Sequence, residues 1–203
     1  MTPSSPDEAI RGLYERHARA WDRDRGRSCV QEKPWIDRFL GFVQPGGTVL
    51  DIGCGMGEPI ARYIIDRGFH VTGVDSSPTL IGLAQSRFPQ EEWIVGDMRQ
   101  LALNRRFDGI LAWDSFFHLN MNEQRAMFPR FAAHANAGAP LMFTSGTEEG
   151  VAMGEYEGEA LFHASLDTEE YEQLLAGNGF TVQAFMADDP DCGNHTIWIA
   201  THA

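Results

Sequence analysis

Three things are scarce in this sequence: basic residues, cysteine and long apolar runs. Lys plus Arg number 16 against 29 Asp plus Glu, which leaves a formal charge of −13 at pH 7. A general nucleic-acid binder needs a net basic face to neutralise phosphates, so that class is disfavoured, although a small local basic site is not. The three cysteines, Cys29, Cys54 and Cys192, are odd in number and far apart. They make neither a disulfide framework nor a zinc pattern such as C-x-x-C, and a reducing, cytoplasmic compartment fits them best. No apolar run approaches the roughly 18–20 residues of a membrane span, so no membrane partner is expected. The leading stretch MTPSSPDEAIRGLYERHARAW is polar and has no signal-peptide core. Internal repeats and low-complexity tracts are missing too.

What is present is an ordinary globular composition, 43% hydrophobic and 22% charged, over 203 residues. That length is little more than one domain and carries a sizeable core. Apolar positions Ile10, Leu13, Tyr14, Ala18 and Trp21 have helical spacing over residues 7–22, and a second helix is predicted over 34–43. After the turn at Pro45-Gly46-Gly47, short β-rich runs alternate with helical segments. Strands are predicted at 48–52, 69–74, 93–95, 107–113 and 139–145. Helices are predicted at 58–66, 77–88, 120–136 and from Asp167 to Gly177. Ser77-Pro78 reads as a helix start, and Asn120 with Glu123 as a capping box. Residues 180–187 and 195–201 are strands too close for a crossover helix, so they form an antiparallel hairpin. The expected fold is α/β: a mostly parallel sheet of seven strands with one reversed strand near an edge. The stretch 146–165 is left as a loop of about 20 residues, a length that is usually functional or disordered.

The densest chemistry lies in Val49-Leu50-Asp51-Ile52-Gly53-Cys54-Gly55-Met56-Gly57. A strand that runs through a glycine-rich turn into a helix brings backbone N–H groups close to a ligand. Packing glycines in a tight turn are the bland alternative. The dinucleotide fingerprint G-x-G-x-x-G places Glu58 at its sixth position, against a pyrophosphate, which tells against an NAD-type oxidoreductase. The stretch VLDIGCGMG instead resembles the first motif of class I S-adenosylmethionine-dependent methyltransferases, and the resemblance extends further. HVTGVDSSPTLIGLA, IVGDMRQL and FDGILAWDSFFHL are similar to the second, third and fourth strands of that family with the segments that follow them.

The resemblance implies a Rossmann-like single domain, with residues 1–46 as a helical lid on a core of 47–203. It implies S-adenosylmethionine as cofactor. Asp51 would sit near its amino end, and the loop Gly53, Cys54, Gly55 and Gly57 would pass beneath it. Asp75 would accept from both ribose hydroxyls, followed by Ser76, while Asp97 and Met98 would meet the adenine. Trp113 and the lid residue Tyr14 would complete the cofactor site. His118 and Asp114, in the loop after the fourth strand, are the candidate bases; each could equally be a packed or capping side chain. Trp21, Phe117 and His163 are candidates for the acceptor pocket. The amino-methylating D/N-P-P-Y/F sequence is absent, which lowers the expectation of nucleic-acid base or glutamine methylation. The expected function is methyl transfer to an oxygen or nitrogen of a small molecule. An oxidoreductase or a non-catalytic cofactor-binding module are the alternatives. Asp188 to His195 holds three Asp and one His, but turn chemistry accounts for them without a metal.

Overall fold

The leading amphipathic segment folds as two helices rather than one. In the computed structural model, which describes residues 6–203, α1 (Pro6–Arg16) and α2 (Ala18–Asp24) meet at His17. There φ −105° and ψ 16° leave the helical region. The His17 ring is held 2.7 Å from Glu159 in a distant hairpin, a contact that residue spacing along one helix cannot reveal. Residues 1–5, part of the stretch searched for a signal peptide, lie outside the described residues. α3 (Lys33–Leu40) follows and buries Trp35, Ile36, Phe39 and Leu40.

Five parallel strands come next: β1 (Thr48–Ile52), β2 (His70–Asp75), β3 (Glu92–Val95), β4 (Gly109–Ala112) and β5 (Pro140–Ser145). Helices α4 (Ile60–Asp66) and α5 (Pro78–Arg87) join the first three strands, and α6 (Met121–His134) joins β4 to β5. Ser77 caps α5, and the Asn120–Glu123 capping box opens α6, as their residue types dictate. Pro59 stands at the N-cap of α4, so the helix predicted from residue 58 begins two residues later.

The stretch 146–165 is not a loop. It forms a separate hairpin of β6 (Gly150–Tyr156) and β7 (Glu159–Ser165), paired in register from Gly150↔Ser165 to Tyr156↔Glu159. Its turn is Glu157-Gly158, both at positive φ (52° and 79°), the backbone that matches the twist of a two-residue hairpin. Abundant glutamate hid the strand pattern, because β6 is exposed on both faces and only one side of β7 is covered. There Phe162 and Ala164 pack with Ile10 of α1. After α7 (Thr168–Gly177), β8 (Phe180–Asp189) and β9 (His195–His202) close the sheet as the expected hairpin.

The sheet order is β3-β2-β1-β4-β5-β9-β8, with β9 antiparallel to both neighbours. Alternate strand residues feed two cores. Val49 and Leu111 point to the face covered by α3 and α4, while Leu50, Ile110 and Phe143 point to the face of α6 and α7. The chain order reverses between β1 and β4, so a crevice opens at their carboxyl ends. Helices α1 and α2 lie over that crevice. Glu15 fixes them to the start of α5, accepting from Thr79 N (3.1 Å) and Thr79 Oγ1 (2.7 Å). Asp22 adds an ion pair with Arg87 (2.7 Å), and Arg16 and His17 tie them to Glu159 of the hairpin.

Candidate cofactor cleft

Two cavities share Trp21, Gly53, Gly55 and Asp114 in their walls and together form one cleft along the glycine loop. The loop shape follows from its glycines. Gly53 (φ 78°) passes so close to Ser115 that a Cβ would lie 2.2 Å from the serine Cβ. Gly57 (φ 77°) also lines the cleft, and a Cβ there would meet the rings of Phe88 and Trp93. Gly55 (φ 55°) faces the cleft, with the Trp21 indole above it.

Asp75 holds the loop in place. Its Oδ2 accepts from Gly55 N (2.9 Å) and its Oδ1 from Ser77 N (2.8 Å). Burial raises its pKa, and the backbone N–H groups of Ser77, Gly55 and Ser76 oppose the rise. Each oxygen keeps further acceptor capacity toward the cleft, which Ser76 also lines. At the same end, Asp97 and Met98 form the wall. Asp97 caps the short turn 98–100 and is gripped by the Arg99 guanidinium (2.7 Å), which also reaches Glu123 (2.6 Å). A turn acid and a wall residue of the cleft are therefore one and the same here.

The other end is a different environment. Asp51, 5% exposed, ends β1 in the wall beside Cys54, Trp113 and Arg25. Burial pushes its carboxyl up to about 7, and the charge of Asp75 adds to the effect. A carboxylate so placed favours a cation next to it. The Trp113 ring is buried, and among the described residues its indole N–H has no hydrogen-bond partner. Arg25 is held only loosely, 3.8 Å from Glu32 and 3.8 Å from Asp114. One buried acid therefore faces two donors, a donor set that fits an ammonium and a carboxylate on one ligand. The Cys54 thiol is raised well above its usual range by burial, so it stays protonated and packs as an apolar group.

His118 and Tyr14 are coupled. His118 Nδ1 lies 2.9 Å from the Phe162 carbonyl, which can only accept, so the ring proton sits on Nδ1. Nε2 then accepts from the Tyr14 hydroxyl at 2.9 Å. Burial lowers the His118 pKa to about 4, which keeps the ring neutral. Its basic nitrogen is thus occupied by Tyr14 rather than open to an acceptor. Asp114 sits at φ 49° just past β4, donates its N–H to Thr144 Oγ1 (3.0 Å), and presents its carboxylate where the two cavities meet. Phe117 and His163 stack against His118 but line a separate groove between β7 and residues 145–152. The structure does not bring them into the cleft.

The family model for the methyltransferase domain matches residues 49–138. That segment holds the glycine loop, Asp75, Asp97, Asp114 and His118. Over that segment the chain is similar to methyltransferase domains. It is 35% identical over 89 residues to dTDP-3-amino-3,6-dideoxy-alpha-D-glucopyranose N,N-dimethyltransferase of Streptomyces fradiae, covering 43% of this chain and 34% of that protein. Alignments to curated methyltransferases span between 28% and 55% of those proteins' length. Similarity of fold covers more. Magnesium protoporphyrin IX methyltransferase from Synechocystis, solved with bound S-adenosylmethionine, superimposes with TM-score 0.74 at 18% identity over 100% of both chains. The 1,6-didemethyltoxoflavin-N1-methyltransferase of Burkholderia thailandensis superimposes with TM-score 0.75 at 19% identity, over 100% of this chain and 92% of that one.

Two residues at this cleft, Arg25 in its wall and His195 behind Asp114, escape a reading of the sequence. Arg25 lies just after α2 and carries no motif. His195 lies 81 residues from Asp114 yet donates to it at 2.8 Å. Only the antiparallel direction of β9 brings its first residue to the carboxyl ends of the parallel strands. In the turn before it, Asp189 caps the residues 190–192 and accepts from the Trp35 indole (2.7 Å).

Proposed function

We propose that the protein transfers the methyl group of S-adenosylmethionine to an oxygen or nitrogen of a small-molecule acceptor. The observation that carries the reading is the graded chemistry of the single cleft. A buried acid faces Arg25 and the Trp113 N–H at one end, and Asp75 with Asp97 lies at the other. That order suits a zwitterionic amino acid joined to a nucleoside. A pyrophosphate cofactor would meet the Glu58 carboxylate in the wall of the cleft, which is already paired with Arg62 (2.9 Å).

In this reading Asp51 receives the ammonium, Arg25 and Trp113 the carboxylate, and Asp75 the ribose hydroxyls. The sulfonium supplies an already activated methyl group, so positioning does most of the remaining work. Tyr14, fixed by His118, and Trp21 close the cleft from α1 and α2, which serve as its lid. Asp114 stands where an acceptor would meet the cofactor, with one oxygen held by His195 and the other toward the cleft. It orients an N–H or O–H of the acceptor. The cavity walls and the acidic charge favour a small acceptor over nucleic acid, in a cytoplasmic setting. Incubation with S-adenosylmethionine labelled in its methyl group and a fractionated metabolite extract tests the reading. Label should appear in a small organic product. Cofactor binding with no label transferred to any fraction would leave a binding module instead.

A further inference from the structure

His195 lines neither cavity of the cleft, yet its ring is fixed at both nitrogens. Nδ1 lies 2.6 Å from the Cys192 carbonyl, and Nε2 lies 2.8 Å from Asp114 Oδ1. Both partners are acceptors, because a carbonyl and a carboxylate donate nothing. The geometry is satisfied only when both ring nitrogens carry protons. The ring is therefore an imidazolium, packed 5.2 Å from the Trp113 ring. The hydrogen bond to Asp114 holds its pKa above the ordinary histidine value, against the effect of burial.

This bond has a consequence for Arg25. The guanidinium stands 3.8 Å from Asp114 Oδ2 and 3.8 Å from Glu32, too far for a hydrogen bond to either. It lies in the wall of the cavity that also holds Asp51 and the unpartnered Trp113 N–H. A bare Asp114 would attract the nearest cation into a bidentate pair, and that cation is Arg25. We propose that His195, by satisfying Asp114, is a positioning residue that leaves Arg25 available to the carboxylate end of the bound cofactor. The inference rests on the cofactor reading above and adds the device that keeps its carboxylate subsite open.

The charged and titratable groups facing His195 come from three elements. They are Asp114 after β4, Glu32 with Arg25 before α3, and Asp189 with Cys192 in the β8–β9 turn. Asp114 dominates, by contact.

The test needs no acceptor. S-adenosylhomocysteine carries the amino-acid end, and 5′-methylthioadenosine lacks it. Affinities of both are measured by calorimetry for the wild type, His195→Leu, His195→Gln, Arg25→Gln and the Leu/Gln double variant, with melting curves to verify folding. At pH 7.5 His195→Leu should weaken S-adenosylhomocysteine about tenfold and leave 5′-methylthioadenosine unchanged. The double variant should lose no more than Arg25→Gln alone. His195→Gln, whose amide can still donate to Asp114, should stay within about threefold of wild type. If the Leu variant does not fold, pH supplies the same test in the wild type. The preference for S-adenosylhomocysteine should shrink as pH rises through the His195 titration, beyond any trend that persists in Arg25→Gln from the ligand's own ammonium. Additive losses, equal loss of both ligands, no loss in a folded His195→Leu, or an identical pH trend in Arg25→Gln would overturn the proposal. A wild type that binds neither ligand would remove the cofactor reading itself.

Discussion

Replacing Asp51 by Asn should stabilise the free protein while destroying its cofactor site. The carboxyl of Asp51 is buried beside Asp75 and titrates at about 7 instead of 3.8. The folded state therefore resists its ionisation over about three pH units, and each unit corresponds to about 1.36 kcal/mol. The sign is fixed by the direction of the shift. Below about pH 4 the acid is protonated in both folded and unfolded chains, and it costs nothing. Between about 4 and 7 the unfolded chain releases the proton while the folded chain keeps it, so stability drains away as pH rises. Above about 7 the penalty is complete. The full shift corresponds to about 4 kcal/mol, and relaxation of the cleft with entering water brings the expected gain for Asp51→Asn at pH 8 to about 2 kcal/mol. For a chain of this size that is a rise of about 4–8 °C in melting temperature. The assay is thermal unfolding of both proteins from pH 4.5 to 8.5 without ligand. The difference should grow with pH and level off above about 7, while S-adenosylhomocysteine binding is lost in the variant. A difference that is flat with pH, or a variant less stable at pH 8 than at pH 5 relative to wild type, would refute the reasoning.

The same titration shapes binding: wild-type affinity for S-adenosylhomocysteine should fall as pH drops below about 7, because protonated Asp51 no longer attracts the ammonium. Asp75→Ala should weaken the ligand by about 1–3 kcal/mol through lost charge-assisted bonds, with unchanged affinity in a folded variant counting against the ribose role. Gly57→Ala and Gly55→Ala should separate packing from binding. The first drives a methyl into Phe88 and Trp93 and should cost about 1–3 kcal/mol of stability in a melt. The second meets only the Trp21 edge at 3.7 Å, so it should spare more stability and chiefly impair ligand binding.

The parallel core was legible because each element carries its own local signal. Proline and glycine punctuation, the Asn120–Glu123 box and short β-branched runs are read from neighbours in sequence, and β1 falls where the sequence places it. The glycine loop and Asp75 were legible for the same reason, since one contiguous strand–turn–helix unit builds that half of the cleft. The rest depends on contacts between distant segments. His17 breaks a helix through Glu159, 142 residues away, and the hairpin β6–β7 has little burial to imprint a pattern. For His118 the sequence leaves a base and a packed side chain both open, and it is the distant Phe162 and Tyr14 that set its tautomer and occupy its lone pair. Arg25 reaches the cleft wall, and His195 reaches Asp114 behind it, only through topology. The charge of −13 pointed away from nucleic acid, but the acids that matter, Asp51 and Asp75, are buried ones that net charge does not single out.

Calorimetry of the wild-type chain at pH 8 with S-adenosylmethionine, S-adenosylhomocysteine and NAD tests the central claim most directly. One molecule of either sulfur nucleoside should bind per chain, each lost in Asp51→Asn, with no heat of binding from NAD. Binding of NAD with neither of the other two would contradict it.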